Sequence, residues 1–368
     1  MPPATLREHV VGAAIARVVC VALLASACGP SSETQSAGLG PAPAGLLDCS
    51  APDALTAETV IAFASAIPHD WLYTPLPLAA TNALIVAARA LDAGELGVAA
   101  GAAPEAGFEL VPLLSGSRCY WVLQPTAAAP AGQATLIYAA NWQRELVIEA
   151  PHAHEDHNTD IEAATLFADV GAKALLLSGA HRCAARESSG CRPSSECDGS
   201  QRIPATSDPS HSVNNALYAM HLAFRSSGSP ILQLHTNAHP EINGDALVSN
   251  GTDYAIAGTP ADALYAALRA PGDVDVRTCN ESGAPLTGAF CGQTSTESLA
   301  SNGAADTCAG RPSAQGGAAV HSFIHLEQSN QRLCLAGGPE QSPPCLDTVD
   351  TWTARLEAAV VAAFPPAR

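Results

Sequence analysis

The stretch Val147-Ile148-Glu149-Ala150-Pro151-His152-Ala153-His154-Glu155-Asp156-His157 runs an apolar segment directly into a corner that holds three histidines and two acids. Glu145-Leu146-Val147-Ile148 reads as a strand, and the segment Asp160 to Val170 that follows the corner reads as a helix, with Ile161, Ala164 and Phe167 three residues apart. Ala174-Leu175-Leu176-Leu177 is then a second buried strand, so strand, helix and strand alternate at the spacing of a parallel unit. The alternation continues outward in both directions. Tyr120 to Leu123 and Ala134 to Tyr138 are expected strands upstream; Val213 to Phe224 is an expected helix and Ile231 to Leu234 a strand downstream. A helix over Pro260 to Arg269, a strand over Val320 to Leu326 and a closing helix over Thr351 to Phe364 complete the pattern, with no internal repeat. The expected fold is α/β: a mixed, mostly parallel central sheet flanked by helices.

The flanks bound the rest. The Ala-rich segment 49–118, with Leu55, Val60, Ile61 and Phe63 and then Leu84, Ile85 and Leu91 at helical spacing, is read as a helical N-terminal region ahead of a main domain over 119–368. Arg7 and Arg17 precede a short apolar run, Val18 to Leu24, that ends in Ala25-Ser26-Ala27-Cys28, the pattern of a signal peptide over 1–27. Ala25-x-Ala27 suits ordinary cleavage, while Leu24 to Cys28 resembles a lipobox with lipidation at Cys28, followed by a flexible tether over 28–48. Beyond Cys20 and Cys28 ten cysteines remain, an even number that in an oxidising compartment makes up to five disulfides stapling loops such as Cys183/Cys191/Cys197 and Cys334/Cys345. No C-x-x-C pair occurs, which excludes a zinc ribbon. A net charge of −18 argues against nucleic acid and anionic membrane surfaces as partners.

In open α/β sheets ligands sit beyond the carboxyl ends of the strands. Four polar groups stand there: His152 to His157, His181-Arg182 after Leu177, His235-Thr236-Asn237 after Leu234, and Glu327 after Phe323 to Leu326. The first cluster has two registers. His152-x-x-Glu155 supplies an imidazole and a carboxylate, with His235 as a third ligand from a distant strand and a fourth position left for water. The other, His152-x-His154-x-Asp156-His157, matches the two-metal motif of the metallo-β-lactamase superfamily, although the glycines usual after that motif and a downstream Gly-His element are missing.

The order His152-x-x-Glu155, His181-Arg182, Ile231 to His235, and Phe323 to Glu327 with Asn330-Gln331-Arg332-Leu333 behind it resembles the N-formylglutamate amidohydrolases and, at greater distance, the aspartoacylase and zinc-carboxypeptidase group. Ser210-His211 resembles a Tyr-His element of the same family, His181 stands where the family has Asn, and the stretch 270–310 has no counterpart. The resemblance implies one zinc ion held by His152, Glu155 and His235, and Glu327 as general base. It further implies Arg182, with His181 and Asn237, on a substrate carboxylate, and His211 either at the oxyanion or steadying a ligand. The implied substrate is a small N-acyl amino acid or a peptide terminus. His154, His157 and His239 are expected beside the site or in solvent. A binding lipoprotein that keeps the fold without catalysis is the competing expectation, and it leaves Glu327 without a task.

Overall fold

The computed structural model describes residues 49, 55–153, 155–185, 187–191, 197, 205–252, 254–280, 286–308, 322–335 and 344–367. The expected signal peptide, the lipidation site Cys28, the tether and His154 lie outside them. Ten strands, β1 Leu55–Ala57, β2 Phe108–Ser115, β3 Arg118–Pro125, β4 Thr135–Ala139, β5 Arg144–Ala150, β6 Ala172–Leu177, β7 Ile231–Asn237, β8 Ala246–Ser249, β9 Val276–Thr278 and β10 Phe323–Ser329, form one sheet. The helices are α1 Val60–Ser65, α2 Leu78–Asp92, α3 Leu96–Ala102, α4 Thr159–Val170, α5 Ala216–Ser227, α6 Pro240–Asn243, α7 Pro260–Arg269, α8 Thr296–Ser301 and α9 Val349–Ala363.

The strand order is β1-β2-β3-β4-β6-β5-β7-β10-β8-β9. β6, β5, β7 and β10 are mutually parallel neighbours in the middle of the sheet, so their carboxyl ends emerge together on one edge. β3 and β4 join antiparallel on one side, and β8 runs antiparallel to β10 on the other. The sheet is therefore mixed and mostly parallel, as the alternation of runs predicts. Segment 49–118 is helical in α1, α2 and α3, and it also supplies β1 and β2, which pair into the same sheet.

Both faces are covered, which explains why the central strands are apolar without alternation. Leu146, Ile148, Leu175, Leu232, Ile324 and Leu326 pack with α4, α7 and α9 on one face. Val147, Ala174, Leu176, Ile231 and Phe323 pack with α2 and α5 on the other. Five disulfides, Cys49–Cys119, Cys183–Cys197, Cys191–Cys308, Cys279–Cys291 and Cys334–Cys345, use all ten of the cysteines counted from the sequence. Such a set belongs in an oxidising environment. No helix among the described residues is long and apolar enough to cross a membrane.

Candidate metal centre

The chain leaves β5 at Ala150 and coils through a single helical turn, in which Glu155 N and Asp156 N both donate to His152 O, at 3.0 and 2.9 Å. Residues four apart on such a turn share a side. His152 and Asp156 therefore face one another, with His152 Nδ1 3.1 Å from Asp156 Oδ2. Asn158 then takes a left-handed conformation at φ +58°, tolerated by its short polar side chain, and starts α4. β7 delivers the third group: His235 Nδ1 lies 3.0 Å from the same Asp156 oxygen.

His152, Asp156 and His235 form a buried group that offers three ligand atoms within 4.8 Å of one another. In a tetrahedral zinc site with bonds of about 2.0–2.1 Å, neighbouring ligand atoms lie about 3.3 Å apart, so the 3.1 and 3.0 Å between the two imidazoles and Asp156 Oδ2 are close to those of a formed site. The far nitrogens are braced as metal-binding imidazoles require. His152 Nε2 meets Asp208 Oδ1 at 3.1 Å, and His235 Nε2 meets Gln233 Oε1 at 3.0 Å. With two nitrogens and one carboxylate facing inward, the donor chemistry fits zinc.

The electrostatics point the same way. Burial works against a charged His152, yet Asp156 and Asp208 on either side push its pKa up to about 10. Burial alone would raise Asp156, but His152 and His235 hold it well below the usual carboxylate range. Asp208 is likewise depressed against its burial, by His211 and His152. Burial keeps His235 below the ordinary imidazole value, and its Nδ1 faces the Asp156 carboxylate at 3.0 Å.

The other expected residues surround this group. Both Glu155 oxygens are engaged by the loop after β6: Oε1 meets His181 Nδ1 at 2.9 Å, and Oε2 accepts from Arg182 N at 2.7 Å. Burial raises its pKa. His181 also stacks on Trp71 at 3.8 Å between centroids. Arg182, 39% exposed, faces these acids from the loop after β6, with Nε 3.6 Å from Glu155 Oε1 and Nη1 3.8 Å from Asp156 Oδ1. Burial pulls its pKa down, and the ring of carboxylates Asp156, Glu155, Asp208 and Glu327 outweighs that. That loop approaches its neighbour closely; a Cβ on Gly179 would lie 2.2 Å from Gln133 O.

Glu327 pairs in register with His235 across β10 and β7. It is buried, with Oε1 3.1 Å from His325 Nε2 and Oε2 accepting from Asn237 Nδ2 at 3.4 Å. Asn237 thus sits on the expected base. His325 is in turn packed against Gly292, where a Cβ would come within 2.8 Å of its Nδ1. His211 reaches the site at one remove, its Nδ1 3.1 Å from Asp208 Oδ2. His239 is on the exposed rim with Glu241.

The structure thus unites His152 and His235 with a carboxylate, as the first register expects, and the carboxylate between them belongs to Asp156 of the second. Asp208, Gln233 and His325 were not singled out in the sequence. Asp208 carries one legible signal, an Asp-Pro start to the turn holding Ser210-His211, where it caps Ser210 N.

No protein-family model and no curated protein matches this chain. Among solved structures it is similar to the N-formylglutamate amidohydrolase of Ralstonia eutropha JMP134, at 14% identity and a TM-score of 0.39 over 63% of this chain and 97% of that one. It is also similar to a bacteriophage poly-gamma-glutamate hydrolase, at 14% identity and a TM-score of 0.34 over 62% of this chain and 87% of that one.

Proposed function

We propose that this chain is an exported zinc-dependent hydrolase that cleaves an amide bond in a small N-acyl amino acid or at a peptide terminus. The observation that carries the reading is the pair of braced imidazoles around Asp156 with Glu327 in register beside His235. One zinc ion per chain would be held by His152, His235 and a carboxylate, Asp156 as it stands here, with Glu155 next to it on the same turn. Zinc bound there supplies Lewis acidity, polarising a substrate carbonyl and making water easier to deprotonate.

The remaining steps belong to the chain's own groups. Glu327, steadied by His325 and Asn237, accepts the proton of the attacking water and returns it to the leaving nitrogen. Arg182, half exposed beside the buried acids, presents a planar fork to a substrate carboxylate and orients the amide. His211 acts through Asp208, holding the carboxylate that braces His152. The reading puts the working protein in the cell envelope, anchored through Cys28; the signal-like N-terminus and the five disulfides support it.

The test is hydrolysis of a panel of N-acyl amino acids and peptides by the zinc-loaded chain and by Glu327→Gln. Turnover by the first and not by the second, with zinc retained in both, is the expected result. Equal turnover by both would overturn the role of Glu327, and binding without turnover in either would favour a ligand-binding protein.

A further inference from the structure

Behind His235 the candidate centre continues into a line of buried polar groups for which the hydrolytic steps have no use. Gln233 Oε1 meets His235 Nε2 at 3.0 Å, and Gln233 Nε2 donates to Glu149 Oε2 at 3.2 Å. Glu149 Oε1 meets His221 Nδ1 at 2.9 Å, and His221 Nε2 meets Ser301 Oγ at 3.0 Å. Glu149 and Gln233 are opposite one another in the β5–β7 register, His221 comes from α5 and Ser301 from α8. All four are fully buried, out of reach of any substrate.

Donors and acceptors along this line can be counted. A carboxylate only accepts, so Glu149 takes an N–H from the Gln233 amide and another from the His221 ring. With its NH2 committed to Glu149, the amide turns its oxygen toward His235, and an oxygen there requires His235 Nε2 to carry the proton. The lone pair of His235 then lies on Nδ1, the atom that faces Asp156 and His152.

A buried His–Glu pair is a poor way to gain stability, because apolar residues of the same volume commonly do as well or better. Placed one amide away from a metal-facing imidazole, the pair has another use. We propose that Glu149, acting through Gln233, is a positioning residue for His235: it dictates which ring nitrogen faces the metal and holds the ring at that angle, with His221 and Ser301 fixing Glu149 from behind. This rests on the metal-centre reading above.

The experiment is a zinc titration of the chain against a competing chelator, run on the wild type, Glu149→Gln, Gln233→Leu and the double variant. Loss of such outer contacts typically weakens metal binding about 10–100-fold, and each single variant is expected in that range. The double variant is expected to bind no more weakly than Gln233→Leu, since without the amide Glu149 has nothing to orient. With Co2+ in place of zinc, the visible absorption of the saturated Glu149→Gln protein should differ from wild type, a change that a loss of fold stability would not produce. Undiminished affinity in Glu149→Gln, or losses that add in the double variant, overturns the proposal while leaving the metal centre standing. A wild type that takes up no zinc overturns both. Should Glu149→Gln fail to fold, Glu149→Leu/His221→Phe removes the pair as a unit; it should fold and bind zinc more weakly, and undiminished binding would refute the role.

Discussion

At the scale of single residues, the site turns on which side chain of one helical turn faces two imidazoles. His152, His235 and Glu327 are legible in the sequence because each stands at the end of an apolar run, where an unpaired charge would be costly to bury, and Arg182 because it lies in the loop just after one. The choice between Glu155 and Asp156 is not legible, since it depends on how the chain coils after Pro151, and adjacent residues on such a turn point in different directions. Two predictions separate them. Asp156→Asn should lose zinc affinity together with His152→Ala and His235→Ala. Glu155→Gln should keep zinc and raise KM, because Glu155 anchors His181 and the Arg182 backbone. Chelator competition and steady-state kinetics on the same preparations check both; the reverse pattern would return the ligand role to Glu155. Glu327→Gln should lower kcat about 10²–10⁴-fold, the usual size of a general-base contribution.

At the scale of elements, the sequence pattern located β3, β4, β5, β6, β7 and β10 and the helices α4, α5, α7 and α9 to within a few residues. It missed β8 and β9, which are four and three residues long and lie in a Gly- and Ser-rich segment with no period to read. It read β2 as part of a helical region. Pro112, which cannot donate to a ladder, breaks the strand signal there. Beneath α4, Glu162 is buried against Gln328, and burial pushes its pKa up to about 8. A carboxyl that holds its proton in the folded chain but not in the unfolded one loses stability as pH rises from about 4.5 through about 8. Glu162→Gln should flatten this fall in Tm between pH 5 and pH 8, measured by thermal unfolding in low salt; an unchanged slope would place the source elsewhere. The loop after β6 is pinned by Cys183–Cys197 and by Ser207 Oγ donating to Arg182 O at 2.7 Å. Freeing about one residue of backbone costs about 1–2 kcal/mol. Replacing both cysteines by alanine should therefore raise KM about tenfold with zinc content unchanged.

At the scale of the molecule, four parallel strands bring residues up to 175 positions apart to one edge of the sheet, from His152 on the loop after β5 to Glu327 on β10. The disulfides tie the surrounding loops to that edge, and the cores on both faces hold the strands in register. A ligand that binds only the folded chain stabilises it, by about 2.7 kcal/mol at 100 times its Kd. The most direct measurement is therefore zinc per chain, by mass spectrometry of the intact folded protein, on the wild type and on His235→Ala. One zinc in the wild type and none in the variant is the predicted result; no zinc in the wild type, or two retained after loss of His235, would contradict a mononuclear centre built on His152, Asp156 and His235.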